Sequence, residues 1–211
     1  MGPIDTPLWI LTISLMYFVG FLIFRRSRSE ELIQSQKSLF RAYAKFLWVM
    51  GITRILFVLA YLVDGFYKTG LTWGYFFGVL SLIDLIRVLE KYITPQTRFF
   101  FTGFSIVITL VTLVSVFLPE TSETIRLIQQ YGMPVIALLF FGLFGVLFKR
   151  STGKIKKKAI QLLLAMIVII VGIVLDSENL VLEKNLLPVY IAPIVFSTGV
   201  LLFGYSTSIE K

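Results

Sequence analysis

Seven stretches of this chain are nearly unbroken runs of apolar residues: Leu8–Phe24, Phe46–Val63, Leu71–Leu89, Phe99–Leu118, Met133–Phe148, Ala159–Leu175 and Leu187–Tyr205. A helix needs about 20 mostly apolar residues to cross the hydrocarbon core of a bilayer, and each run reaches or approaches that length with its flanks. None shows the strict apolar–polar alternation of a barrel strand. The expected fold is therefore all-α: one membrane domain over residues 1–211, a bundle of seven transmembrane helices in the cell membrane. With 57% of residues hydrophobic and 15% charged, the chain departs from a soluble domain, where about a quarter of residues are charged.

The connecting segments set an orientation. Those after the first, third and fifth runs hold Arg25, Arg26, Arg28 and Lys37, then Arg87, Lys91 and Arg98, then Lys149, Arg150, Lys154, Lys156, Lys157 and Lys158. Those after the second, fourth and sixth hold only Lys68, Arg126 and Lys184, together with Asp64, Glu120, Glu123, Asp176, Glu178 and Glu183. Short loops rich in Lys and Arg stay in the cytosol. The expectation is an N-terminus outside and a C-terminus inside, which requires an odd number of crossings. The first run, with no basic segment before it and Arg25 after it, reads as a retained anchor rather than a cleaved signal. A myristoylation pattern beginning at Gly2 is set aside, because that glycine is expected outside.

The net charge of +8 reads here as topology and contact with anionic lipid, not as nucleic-acid binding. Arg25, Arg26, Arg28, Lys149, Arg150, Lys154, Lys156, Lys157 and Lys158 are the candidate contacts for such lipids or for a protein partner. Residues from Glu30 to Lys45 carry polar groups at helical spacing and no Gly or Pro, which predicts a helical extension of the second span at the cytosolic face. A short interfacial helix is expected within Pro119–Gly132, and a basic hinge around Gly153. Trp9 is expected at the outer interface and Tyr43 at the inner one.

Several chemistries are excluded. Cysteine and histidine are both absent, which removes thiolate nucleophiles, cysteine metal sites and the usual neutral-pH base. No metal, cofactor or catalytic set emerges, so no enzyme is expected. The seventh run contains no lysine for a retinal Schiff base. Pro95-Gln96 falls in a loop, where it cannot act as the hinge of a proline–glutamine transporter.

Three features stand out within the apolar runs. Arg54 and Asp84 are ionisable residues at membrane depth, each about 2.5–3.5 kcal/mol unfavourable at a helix centre on insertion scales. Such residues tend to face the bundle interior and find partners, so the two are expected to pair across a short outer loop, with Arg87 as the competing partner of Asp84. Thr102, Ser105, Thr109, Thr112 and Ser115 form a hydroxyl stripe, either interhelical glue or the wall of a polar path. Gly74 and Gly78 allow close helix packing, and Pro193 is expected to kink the seventh helix.

A short outer N-terminus, the basic Arg25-Arg26-Ser27-Arg28, Trp48 early in the second span and the charged end of the third from Asp84 to Lys91 make the chain resemble stand-alone seven-helix proteins of archaea. It also resembles the seven-helix membrane regions that precede sensor histidine kinases. The resemblance implies a receptor-like sensory or signal-relaying role. No kinase domain is present in this chain, so a signal would leave through the cytosolic loops to a separate protein. A small solute transporter or channel with a path between helices two, three and four, and an accessory subunit of a membrane complex, are the alternative readings.

Overall fold

The structure, a computed structural model, describes residues 5–117, 141–149, 152–176, 188 and 190–208. Its helices are α1 (Asp5–Arg26), α2 (Gln34–Leu62), α3 (Tyr67–Ile93), α4 (Phe100–Phe117), α5 (141–149), α6 (Gly153–Leu175) and α7 (Ile191–Thr207). Four are long and apolar enough to cross a bilayer: Thr6–Arg26, Gln34–Leu62, Tyr67–Ile93 and Lys156–Leu175. Phe100–Val114 and Ile191–Thr207 are apolar but shorter. The loop expected to form an interfacial helix, Pro119–Gly132, and the first part of the fifth run lie outside the described residues.

Neighbours in sequence pack as neighbours in space from α1 to α4, α7 returns to α1, and α6 lies along α7. Trp9, Tyr43, Phe46, Phe144, Phe196 and Phe203 are fully buried. Tyr43 and Phe203 meet edge to face at 5.1 Å. The exterior is also apolar: Phe18 and Phe21 on α1, Val107 and Leu110 on α4, Leu164 on α6 and Leu201 on α7 are exposed. Apolar surface on this scale suits a hydrocarbon solvent.

Glycines set the closest contacts. A Cβ on Gly172 of α6 would lie 2.9 Å from Phe196 Cα, and one on Gly199 of α7 would lie 2.8 Å from the Ile169 backbone nitrogen. Gly74, the first residue of the small-residue pair on α3, faces the Phe57 ring of α2, so it serves packing within the chain.

Several expectations are corrected. The extension before the second span begins at Gln34, not Glu30, and runs unbroken into the span. With Ala42, Tyr43 and Ala44 buried, it is part of the bundle rather than a helix lying on a surface. Pro193 is the third residue of α7, where its missing N–H would have had no helical partner in any case. It marks the beginning of the helix instead of kinking the middle. Gly153 has φ +58°, and Lys154 to Lys158 form the first turns of α6 rather than a hinge. Trp9 and Tyr43 face the interior of the bundle, at 1% and 0% exposure, rather than its outer surface.

Candidate functional site

Arg54 lies in the C-terminal half of α2, 2% exposed. A guanidinium in such surroundings needs both an anion and π faces to replace water. Its Nη1 donates to Asp176 Oδ2 at 2.5 Å. Its central carbon stands 4.6 Å from the Trp9 ring centre, 4.8 Å from that of Phe196 and 5.6 Å from that of Phe57. Trp9 and Phe196 themselves meet edge to face at 5.9 Å. One side chain thus joins α1, α2 and α7 to Asp176 at the end of α6.

The surrounding elements hold this cage. Thr12, one turn from Trp9, and Ser197, next to Phe196, share a hydrogen bond of 2.8 Å and clamp α1 to α7. Gly172 lets the Phe196 backbone approach α6 closely. Phe57 leans on Tyr75 of α3 with ring centres 5.5 Å apart. Asp176 is the residue that ends α6, its N–H donating to the Gly172 carbonyl. A carboxylate there faces the negative end of the helix dipole, an unfavourable place for an anion. Asp176 is also partly open, with 23% of its side chain exposed. Arg54 Nε is buried without a hydrogen-bond partner among the described residues, so the guanidinium retains donor capacity beyond Asp176.

The expected partnership of Arg54 with Asp84 is overturned. Asp84 accepts from Lys45 Nζ at 2.8 Å, with 59% of the lysine side chain and 32% of the aspartate exposed. Arg87, the competing partner, is exposed and makes neither contact. The cause is helix register. α3 begins at Tyr67, not near Leu71, and Ala60 stands against Gly70 across the hairpin. This places Lys45 level with Asp84, and Arg54 about 13 Å away along the axis at 1.5 Å per residue.

The hydroxyl stripe of α4 is buried but inward-satisfied. Ser105, Thr109 and Thr112 donate to the carbonyls of Phe101, Ser105 and Ile108. These three bonds lie within α4, where such hydroxyls act as packing elements. The side chain of Ser115 lies outside the described residues.

Thr102 has a different role. Glu90, at 1% exposure, reaches from α3 to the start of α4. Its Oε1 accepts from Thr97 Oγ1 at 2.8 Å and from Phe101 N at 2.9 Å. Its Oε2 accepts from Thr102 N at 2.8 Å and from the Thr102 hydroxyl. The carboxylate caps the exposed amides and positive dipole of α4. Sequence reading treated Glu90 as part of a charged helix end and missed this.

Of the basic candidates, Arg25, Arg28, Lys149, Lys156 and Lys157 are exposed. Arg26 is half-buried over the Phe40 ring, and Lys156 stands over Phe148 at 4.6 Å. Arg150 and the side chain of Lys154 lie outside the described residues. Lys158 donates to the Ser208 carbonyl at 3.2 Å, tying α6 to the end of α7. Lysines in the first turns of a helix oppose its dipole, which leaves that end of α6 in need of anions.

No protein-family model matches the chain, and neither curated proteins nor solved structures show a match.

Proposed function

We propose that this is a non-enzymatic, receptor-like module of the cell membrane that crosses the bilayer seven times, N-terminus outside, and relays the state of the Arg54 cage to its basic cytosolic end. The observation that carries the reading is the ion pair of Arg54 with a partly open Asp176 seated at the unfavourable end of α6. An anionic ligand arriving from outside would compete with Asp176 for the guanidinium and use the spare Nε donor. Releasing Asp176 changes what holds the outer end of α6. That helix is 23 residues long, roughly 34 Å at 1.5 Å per residue, and its other end carries the lysines that face anionic lipid or a protein partner. A ligand that favours one arrangement of such an element shifts its population. Against the transport alternative, three of the hydroxyls expected to line its path, those of Ser105, Thr109 and Thr112, donate to carbonyls of their own helix.

The test is a melting-temperature screen of small aliphatic and aromatic carboxylates against the protein in bilayer discs. A binding carboxylate should stabilise the wild type, bind Asp176→Asn more tightly and leave Arg54→Leu unaffected. If no carboxylate stabilises even Asp176→Asn, the cage is a structural device and the receptor reading falls.

A further inference from the structure

At the opposite end of the bundle from Arg54, a cavity of about 340 Å³ opens between the starts of α2 and α6 and the ends of α3 and α7. Its walls are mainly apolar, with Leu39, Val88, Leu89, Leu147 and Leu162 among them. Small-molecule sites begin at about 300 Å³ and combine apolar walls with a few placed polar groups.

The polar groups here have a direction. Ser206 and Thr207 line the cavity but donate their hydroxyl hydrogens to carbonyls of α7. Tyr43 also lines it, is 0% exposed, and its hydroxyl has no partner among the described residues. A buried hydroxyl left unpaired costs about 1–3 kcal/mol, so an occupant that bonds to it is favoured. Lys158 stands in the same wall and lends one N–H to Ser208; an ammonium has three. Among the described residues, no acidic side chain lines the cavity. Tyr43 and Lys158 each keep an unspent donor, and Lys158 is the only charged side chain among the described lining residues, so an acceptor anion on an apolar body complements both.

We propose that this cavity binds a single-chain amphiphile with an anionic head, of the long-chain carboxylate class, its head bonded by Tyr43 and Lys158 and its chain lying among the leucines. The cavity lies at the small end of the ligand-site range, which fits one chain rather than a two-chain phospholipid. The inference stands apart from the Arg54 reading and would survive its failure.

The experiment measures radiolabelled dodecanoate binding to the whole protein in zwitterionic bilayer discs, with empty discs correcting for partition. Binding should saturate at one per chain. It should weaken about tenfold in Tyr43→Phe, as expected for a lost hydrogen bond to a charged group, weaken similarly in Lys158→Gln, and vanish in Leu162→Trp, which fills the space. Tyr43→Phe removes an unpaired buried hydroxyl and should keep or raise the melting temperature of the empty protein, so its result stands even if Leu162→Trp fails to fold. Dodecanol should not displace the carboxylate. Binding no greater than in empty discs, displacement by dodecanol as effective as by dodecanoate, or unchanged affinity in Tyr43→Phe would overturn the proposal. One-for-one displacement by an anionic phospholipid would assign the anion to a membrane headgroup and overturn the free-carboxylate assignment.

Discussion

Arg54 donates to Asp176 across 2.5 Å and 122 residues of chain, while Lys45 donates to Asp84 at 2.8 Å on the half-exposed flank of the α2–α3 hairpin. The two pairs are similar in length and differ in what surrounds them. The first replaces water with three aromatic faces, and the second keeps water.

That contrast gives the first prediction. An exposed ion pair contributes about 0–1 kcal/mol. Asp84→Asn should lower unfolding stability by less than about 1 kcal/mol, as measured in mixed detergent micelles. A loss of several kcal/mol would mean that Asp84 has a buried role that its exposure contradicts.

Glu90 should behave in the opposite way. Its carboxylate serves two backbone amides and two hydroxyls at the α3–α4 junction, and bonds to a charged group contribute about 1.5–3 kcal/mol. Glu90→Leu should cost at least about 3 kcal/mol by the same measure, and Glu90→Gln less. The junction also holds Arg98 at φ 47° and Phe99 at φ 62°, a conformation costing about 1–2 kcal/mol for a side-chain-bearing residue. Arg98→Gly should therefore be neutral or stabilising, a sign that no ordinary exposed loop substitution to glycine shares.

The apolar runs made the helices legible, and Arg54 was legible as a buried cation because it interrupts one of them. Its partner was not. Asp176 reads as one acid among several in a loop, and only the packing of α6 against α7, through Gly172 and Gly199, brings it to α2. The error over Asp84 came from α3 starting about one turn early, enough to shift the hairpin register. Glu90 was hidden because the turn that folds α4 back onto it uses Arg98 and Phe99 in left-handed conformations that glycine usually takes.

Gly172 offers a packing test. A methyl group there would press on Phe196 Cα at 2.9 Å, and backbone cannot yield as a side-chain tip can. Gly172→Ala should destabilise by about 1–3 kcal/mol. It should also weaken any ligand effect at Arg54, because Phe196 forms part of the cage. Unchanged stability would place α6 and α7 farther apart than described.

Orientation can be tested directly, since the chain has no native cysteine. Asp64 and Thr152 are both exposed. In intact cells, Asp64→Cys should react with a membrane-impermeant maleimide and Thr152→Cys should react only after permeabilisation. The reverse pattern would invert the bundle and place the Arg54 cage on the cytosolic side.

The central claim is that Arg54 and Asp176 are energetic partners, and a double-mutant cycle measures this most directly. Stranding one member of a buried pair typically costs about 3–5 kcal/mol. Asp176→Leu, which strands a guanidinium only 2% exposed, should fall in this range; Arg54→Leu, which leaves a carboxylate 23% exposed, should fall near the lower limit. The double variant should recover most of the larger loss, giving a coupling of at least about 2 kcal/mol. Losses that simply add, with coupling near zero, would contradict the pairing and the switch built on it.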